Sequence, residues 1–338
     1  MPEWIRENRA RLIALALVVA IFAIPVLALL WVTAVPGKSF AGPLPRLTAQ
    51  QIDLAQRLRT HVEAIAGTPH NVGHPEALEA AARYVEASLA ASGYAVERQP
   101  FDGGKIRNIA ATLQPANPGA ETLVIGAHYD SAFDSPGAND NGSGTAAVLE
   151  LARLLAGVRG KAPLRIRFVL FVNEEPPFFK TNRMGSLVYA RQLRASGERV
   201  RGMWSLETLG YYSDQPGSQH YPFPLGMLYP DTGNFVAFVG TTGSRGFVRQ
   251  TVAAFRERAR FPSVGGTAPG FVQGIDWSDH WAFEQAGFPA LMITDTAPFR
   301  YRHYHSKEDT SDKVDYARLA RVVTALEAMV RAPETVRP

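Results

Sequence analysis

Histidine and carboxylate residues recur where apolar runs of this sequence end. His128 and Asp130 follow the run Thr122–Ala127, the adjacent pair Glu174–Glu175 follows Leu164–Val172, and Glu207 follows Met203–Leu206. His303 and His305 come after Leu291–Thr294, and Asp140 sits in the Asn- and Gly-rich stretch Ala138–Gly144 just ahead of a helical pattern. One such residue alone is an ordinary cap or surface group; together they are a donor set. Neutral imidazole and carboxylate without thiolate suit Zn²⁺, Co²⁺ or Mn²⁺. Two ions about 3.5–4 Å apart need one bridging carboxylate and further ligands on each. A spare carboxylate, kept off the metals, can then move the proton of a water molecule. The pair Glu174–Glu175 can divide ligation and proton transfer between its members.

These residues need a scaffold that brings distant strand ends to one rim, as open α/β sheets do beyond the carboxyl ends of their strands. The pattern supplies one. Leu54, Leu58, Val62 and Ile65 stripe one helix; Leu78, Ala82, Val85 and Leu89 stripe a second with Pro75 in its first turn; Leu319, Val322, Leu326 and Met329 stripe a last one. A further helix is expected over Thr145–Leu155. Ile106–Leu113, Thr122–Ala127, Leu164–Val172, Met203–Leu206, Phe235–Val239 and Leu291–Thr294 read as strands. The alternation predicts an α/β fold with a mostly parallel, doubly wound sheet and helices on both faces. No internal repeat or low-complexity segment interrupts it.

From Leu12 to Val35 no residue is charged, a run of 24 positions. About 20 apolar residues suffice to cross a bilayer, and the apolar core of a cleaved signal peptide is only about 7–15 long. The run is therefore expected to be an uncleaved transmembrane helix, and Pro25 within it is tolerated in a membrane. Residues 1–11 would form a short cytoplasmic tail, 12–35 the span, 36–49 a Pro- and Gly-containing linker, and 50–335 the catalytic domain. Arg6, Arg9 and Arg11 before the run, against Lys38 and Arg46 after it, favour a cytoplasmic N-terminus. The expected location is a single pass through the inner or plasma membrane, with the domain periplasmic or extracellular. The chain has no Cys, which excludes disulfide scaffolds, thiolate metal sites and a cysteine nucleophile. Its net charge is +4, and its arginines are scattered, so no nucleic-acid partner is read from them.

The motifs His128-Tyr129-Asp130-Ser131, Pro136 through Gly144, and Asn173-Glu174-Glu175 resemble those of the zinc aminopeptidases of the aminopeptidase Y type. Ser278-Asp279-His280, Gly287-Phe288-Pro289-Ala290 and Tyr304-His305-Ser306-Lys307-Glu308-Asp309-Thr310 continue the match in family order, from about Asn108 to Asp315. The resemblance implies a zinc exopeptidase-like fold and two zinc ions, with Co or Mn as substitutes and a one-zinc form conceivable. His128 and Glu207 would hold one ion, Glu175 and His305 the other, and Asp140 would bridge them. Glu174 would be the general base for a metal-activated water, Asp130 would orient His128, and Asp279 would belong to the surrounding hydrogen-bond network. The implied function is removal of N-terminal residues from peptide substrates. His303, His61, His70, His74 and His220 match no ligand position.

Two departures stand out. Glu207 occupies a position where many members have Asp. The link from the paired Glu to Gly185-Ser186 is expanded and carries Pro176, Pro177, Phe178 and Phe179, either as an apolar wall beside the substrate or as an insertion packed on the surface. The resemblance reaches glutaminyl-peptide cyclotransferases as well, which also have a longer link. A carboxypeptidase or dipeptidase would need a cation for the substrate carboxylate, and Arg300 and Arg302 stand near His305.

Overall fold

The computed structural model describes residues 8–332. Residues 1–7 of the expected tail, with Arg6, and 333–335 of the expected domain lie outside that range. In chain order the helices are α1 (Arg9–Thr33), α2 (Ala49–Ile65), α3 (Pro75–Ala91), α4 (Gly144–Leu155), α5 (Gly185–Ala195), α6 (Arg245–Arg258), α7 (His280–Gln285) and α8 (Tyr316–Arg331). The strands are β1 (Val96–Phe101), β2 (Ile106–Leu113), β3 (Thr122–His128), β4 (Arg165–Phe171), β5 (Val200–Glu207), β6 (Val236–Thr241), β7 (Ser263–Ala268) and β8 (Ala290–Thr294).

The strands form one sheet in the order β1-β2-β4-β3-β5-β8-β6-β7. Four neighbouring strands, β4, β3, β5 and β8, run parallel at its centre. β2 joins antiparallel on one side and β6 on the other, with β7 parallel to β6. β3 is buried along its whole length, as its continuous apolar run requires of a strand covered on both faces. Side chains alternate between the faces. Leu123, Ile125 and Ala127 pack with α2, α3, α4, α6 and α8, whereas Val124, Val169 and Met203 meet Tyr189 of α5 and Phe283 of α7. The alternation therefore sends His128, two residues beyond Gly126, and Glu207, two beyond Ser205, to the α5–α7 side of the sheet.

All the apolar helix stripes read from sequence are buried. α2 starts with a capping box: Gln51 N–H donates to Thr48 Oγ1 and Thr48 N–H to Gln51 Oε1, each at 3.2 Å. α1 holds an apolar stretch, Arg11–Thr33, long enough to cross a membrane, and its side chains are not covered by the domain. Its last turn touches the domain. There Thr267 Oγ1 donates to Val32 O at 3.0 Å and Arg245 donates to Trp31 O at 3.0 and 2.8 Å. The segment after α1 is irregular, as its Pro and Gly content implies, but it is packed rather than loose. Val35 and Leu44 lie against the core, and Arg256 donates to Pro36 O at 3.0 Å and Gly37 O at 2.8 Å.

Candidate metal centre

The ends of β3, β4 and β5, the loop ahead of α4, and the loop after β8 converge at one rim. His128 closes β3 and is fully buried; its Nδ1 lies 3.0 Å from the backbone O of Asp130. That contact directs Nε2 to the rim, where it stands 3.4 Å from Asp140 Oδ1 and 3.3 Å from Glu207 Oε2. His305 Nε2 approaches from the other side, 3.0 Å from Asp140 Oδ2 and 3.3 Å from Glu175 Oε2. Asp140 thus presents one oxygen to each imidazole. Glu174 Oε2 is 3.8 Å from His128 Nε2, farther than any of these donor contacts. His128, Asp140 and Glu175 offer donor atoms that all lie within 4.8 Å of one another.

Local structure fixes each donor. Asn173 at φ 62° turns the chain sharply after β4, so Glu174 and Glu175 both project inward. Their backbone N–H groups donate to the two carboxylate oxygens of Asp130 at 3.3 Å each. Asp130 thereby positions the Glu pair with its carboxylate and His128 with its carbonyl; its nearer carboxylate oxygen is 3.7 Å from His128 Nδ1. Glu207 Oε2 accepts from Ser278 Oγ at 2.8 Å. His305 sits at φ 57°, a conformation costly for a residue with a Cβ, and Tyr304 stacks on its ring at 3.9 Å. Asp279 is buried at the entrance to α7, and its charge opposes ionisation of Glu174.

The loop carrying Asp140, whose Asp140–Asn141 peptide is cis, is held by two carboxylates that motif reasoning left without a role. Asn139 N–H and Asp140 N–H donate to Asp309 at 2.9 and 3.0 Å, and Tyr301 Oη donates to the same carboxylate at 2.9 Å. Asn139 Nδ2 donates to Asp295 at 3.0 Å. Asp309 lies inside the quoted His305 motif, so its place beside His305 was the available signal; Asp295, directly after β8, carried only its strand-end position.

The electrostatics call for a cation. Burial, reinforced by Glu175, Glu207 and Asp279, pushes the Glu174 carboxyl well above its ordinary value. Burial also raises Glu175 to about 7, with help from Asp140, and Glu207 to about 7. Burial works against a charge on His305, yet Asp140 and Glu175 outweigh it and hold the imidazole up at about 11. His128 Nε2, both Asp140 oxygens, Glu175 Oε1 and His305 Nε2 are buried without a hydrogen-bond partner. Unpaired buried polar atoms are expensive, and an N/O set of this kind is what a zinc ion satisfies. The residues fit the metal.

The remaining candidates fall elsewhere. His61 contacts Tyr84 and Glu150, His70 contacts the Thr68 carbonyl, and His303 contacts Arg302. Arg300 is buried, with Nε on Gln219, Nη1 on the carbonyls of Gly233 and Phe235, and Nη2 enclosed without a partner, so burial keeps it from a substrate carboxylate. Of the two readings of the Pro-Phe link, the surface insertion holds. Phe178 lies under Arg183, and Phe179 packs beside Met184 and Trp281. The apolar wall near the centre comes instead from β8 and from the segments after β5, β7 and β8. Tyr221, Leu225, Ile275, Met292 and Phe299 line an apolar pocket that opens beside Glu207 and Tyr304.

Residues 108–330 match Peptidase family M28. The chain is 39% identical over 305 residues to uncharacterized protein YfbL of Escherichia coli, covering 87% of this chain and 89% of that one. It is 27% identical over 249 residues to aminopeptidase YwaD of Bacillus subtilis, covering 70% of this chain and 48% of that one. The chain spans about half to three-fifths of the length of the aminopeptidase relatives it matches. In fold it is similar to an aminopeptidase from Aneurinibacillus sp. strain AM-1, with TM-score 0.64, 20% identity and coverage of 82% and 93%. A glutaminyl cyclase of Porphyromonas gingivalis shares the fold as well, with TM-score 0.58, 19% identity and coverage of 82% and 98%. This chain belongs to peptidase family M28, the hydrolase family whose zinc aminopeptidases its motifs resemble.

Proposed function

We propose that the chain is a membrane-anchored, zinc-dependent aminopeptidase with two zinc ions sharing Asp140. One observation carries this reading: Asp140 is buried without a hydrogen-bond donor to either oxygen, and each oxygen faces a different histidine. His128 and Glu207 would hold one ion, His305 and Glu175 the other. When bound, the ions would acidify water and polarise the scissile carbonyl. Glu174, the carboxylate held farther back, takes the proton of the attacking water and passes it to the leaving amine. The apolar pocket beside Glu207 receives the first side chain, so Leu, Met or Phe at the N-terminus fits best. Glu207 favours hydrolysis over cyclisation, because a second ligand pair beside His128 serves a water nucleophile and a cyclase needs none.

The N-terminal helix anchors the domain, with the N-terminus cytoplasmic and the domain on the outer side. The test is elemental analysis of the intact chain beside turnover. About two zinc ions per chain are expected from the two-metal arrangement, falling to about one in Glu207→Ala. Glu174→Gln should keep both ions and lose roughly 10²–10⁴-fold in turnover. A zinc-replete Glu174→Gln protein with undiminished turnover would overturn the assignment.

A further inference from the structure

The junction between α1 and the domain fixes which surface faces the bilayer. The last carbonyls of a helix have no partner within it. In α1 and the residues just after it, the domain supplies partners: Thr267 and Arg245 as above, Arg249 to Ala34 O, and Arg256 to Pro36 O and Gly37 O. A helix end bonded at this many points holds the domain at a set angle, where a free linker would let it swing.

β7 runs beside this exit segment in the opposite direction. Its first residue, Ser263, donates its N–H to Ser39 Oγ at 2.8 Å, and Thr267, four residues on, reaches back to Val32. The chain after β7 therefore heads toward the apolar span. It makes a turn closed by Val272 N–H to Pro269 O at 2.9 Å, and Phe271, in the third position of that turn, is 89% exposed. At the same level Arg245, the first residue of α6, stacks its guanidinium 4.0 Å over the ring of Trp31. Neither Arg245 nor Arg249 has a carboxylate partner among the described residues. An exposed Phe, a Trp at a helix end and arginines whose charge no carboxylate neutralises are the composition of a membrane–water interface, where aromatic rings sit among headgroups and cations meet phosphate.

We propose that this face, formed by the Pro269–Val272 turn, Trp31 and the start of α6, rests in the headgroup layer of an anionic bilayer as a second membrane contact. The inference rests on α1 spanning that bilayer. The same segment continues through Gln273, Gly274 and Ile275, which line the apolar pocket. The pocket rim is thus presented at the membrane surface, to peptides lying on it.

The chain has no cysteine, so single labels can be placed cleanly. Full-length Phe271→Cys, Phe22→Cys and Lys105→Cys would each carry an environment-sensitive fluorophore. They would be reconstituted in vesicles of equal parts phosphatidylcholine and phosphatidylglycerol, with and without nitroxide-labelled lipid. Phe22 lies exposed within α1, and Lys105 lies exposed between β1 and β2 at the far edge of the sheet. The expected result is blue-shifted, nitroxide-quenched emission at positions 22 and 271, and unquenched emission at 105. Quenching at 22 with position 271 matching position 105 would overturn the second contact and leave the anchor standing. A water-like label at position 22 would remove the anchor, and this contact with it.

Discussion

Asp309 bonds the amides of Asn139 and Asp140, so the carboxylate proposed to sit between two metals is positioned by another carboxylate 169 residues away in the chain. Burial pushes the Asp309 carboxyl up to about 7, against the pull of those two amides. Residues that hold metal ligands in place typically contribute 10–100-fold in metal affinity. Asp309→Ala should therefore weaken zinc binding by about that factor in a competition titration with a chromophoric chelator, with the circular dichroism spectrum unchanged; unaltered affinity would confine Asp309 to packing. At this scale the donors were legible because His and Glu are conspicuous at the ends of apolar runs. Their supports were not. Asp130 acts through its carbonyl as well as its carboxylate, and Asp295 reaches Asn139 only because β8 lies near β3 in the sheet, a relation no local pattern encodes.

Arg107 of β2 ties the sheet to α3, with Nε 2.6 Å from Glu86 Oε1 and Nη1 2.7 Å from Glu79 Oε2. Its hydrogen bond is the largest cause holding Glu79 at about 2, below the ordinary 4.5. A depressed folded-state pKa gives stability that is present above the ordinary value and lost as pH falls from about 4.5 toward 2. Arg107→Met should lower the melting temperature at neutral pH and flatten its decline across that window. Melting curves that fall in parallel with the native protein would contradict the link. The elements legible in the sequence were those with unbroken apolar runs or clear helical stripes, such as β3, β4 and α8. β1 reads Val-Glu-Arg-Gln-Pro-Phe because an edge strand keeps few buried positions, and β7 carries Gly265 and Gly266 where an added Cβ would meet Val252 and the Tyr229 hydroxyl. α6 has arginines at four of its fourteen positions, Arg245, Arg249, Arg256 and Arg258, and its buried stripe of Phe247, Val248, Val252 and Phe255 is narrow.

The whole chain joins an apolar helix to an M28 domain through an irregular segment, residues 36–49, that is packed on the domain. Val35 and Leu44 touch the core, and Thr48 caps α2. A chain starting at Val35 should be soluble and keep its turnover, since no metal donor lies before it. A chain starting at Gln50 also loses the Thr48 cap, worth about 0.5–2 kcal/mol. It should melt several degrees lower, at about 2–4 °C per kcal/mol for a domain of this size class; equal melting temperatures would show that residues 35–49 contribute nothing. The central claim is that this centre removes residues from free N-termini. Its most direct test is mass spectrometry of a peptide with N-terminal leucine, incubated with the intact protein beside its N-acetylated twin. The account predicts loss of leucine from the free peptide alone, abolished by a chelator and restored by zinc. Loss of residues from the carboxyl end, cleavage of the acetylated twin, or full turnover in the metal-stripped protein would contradict it.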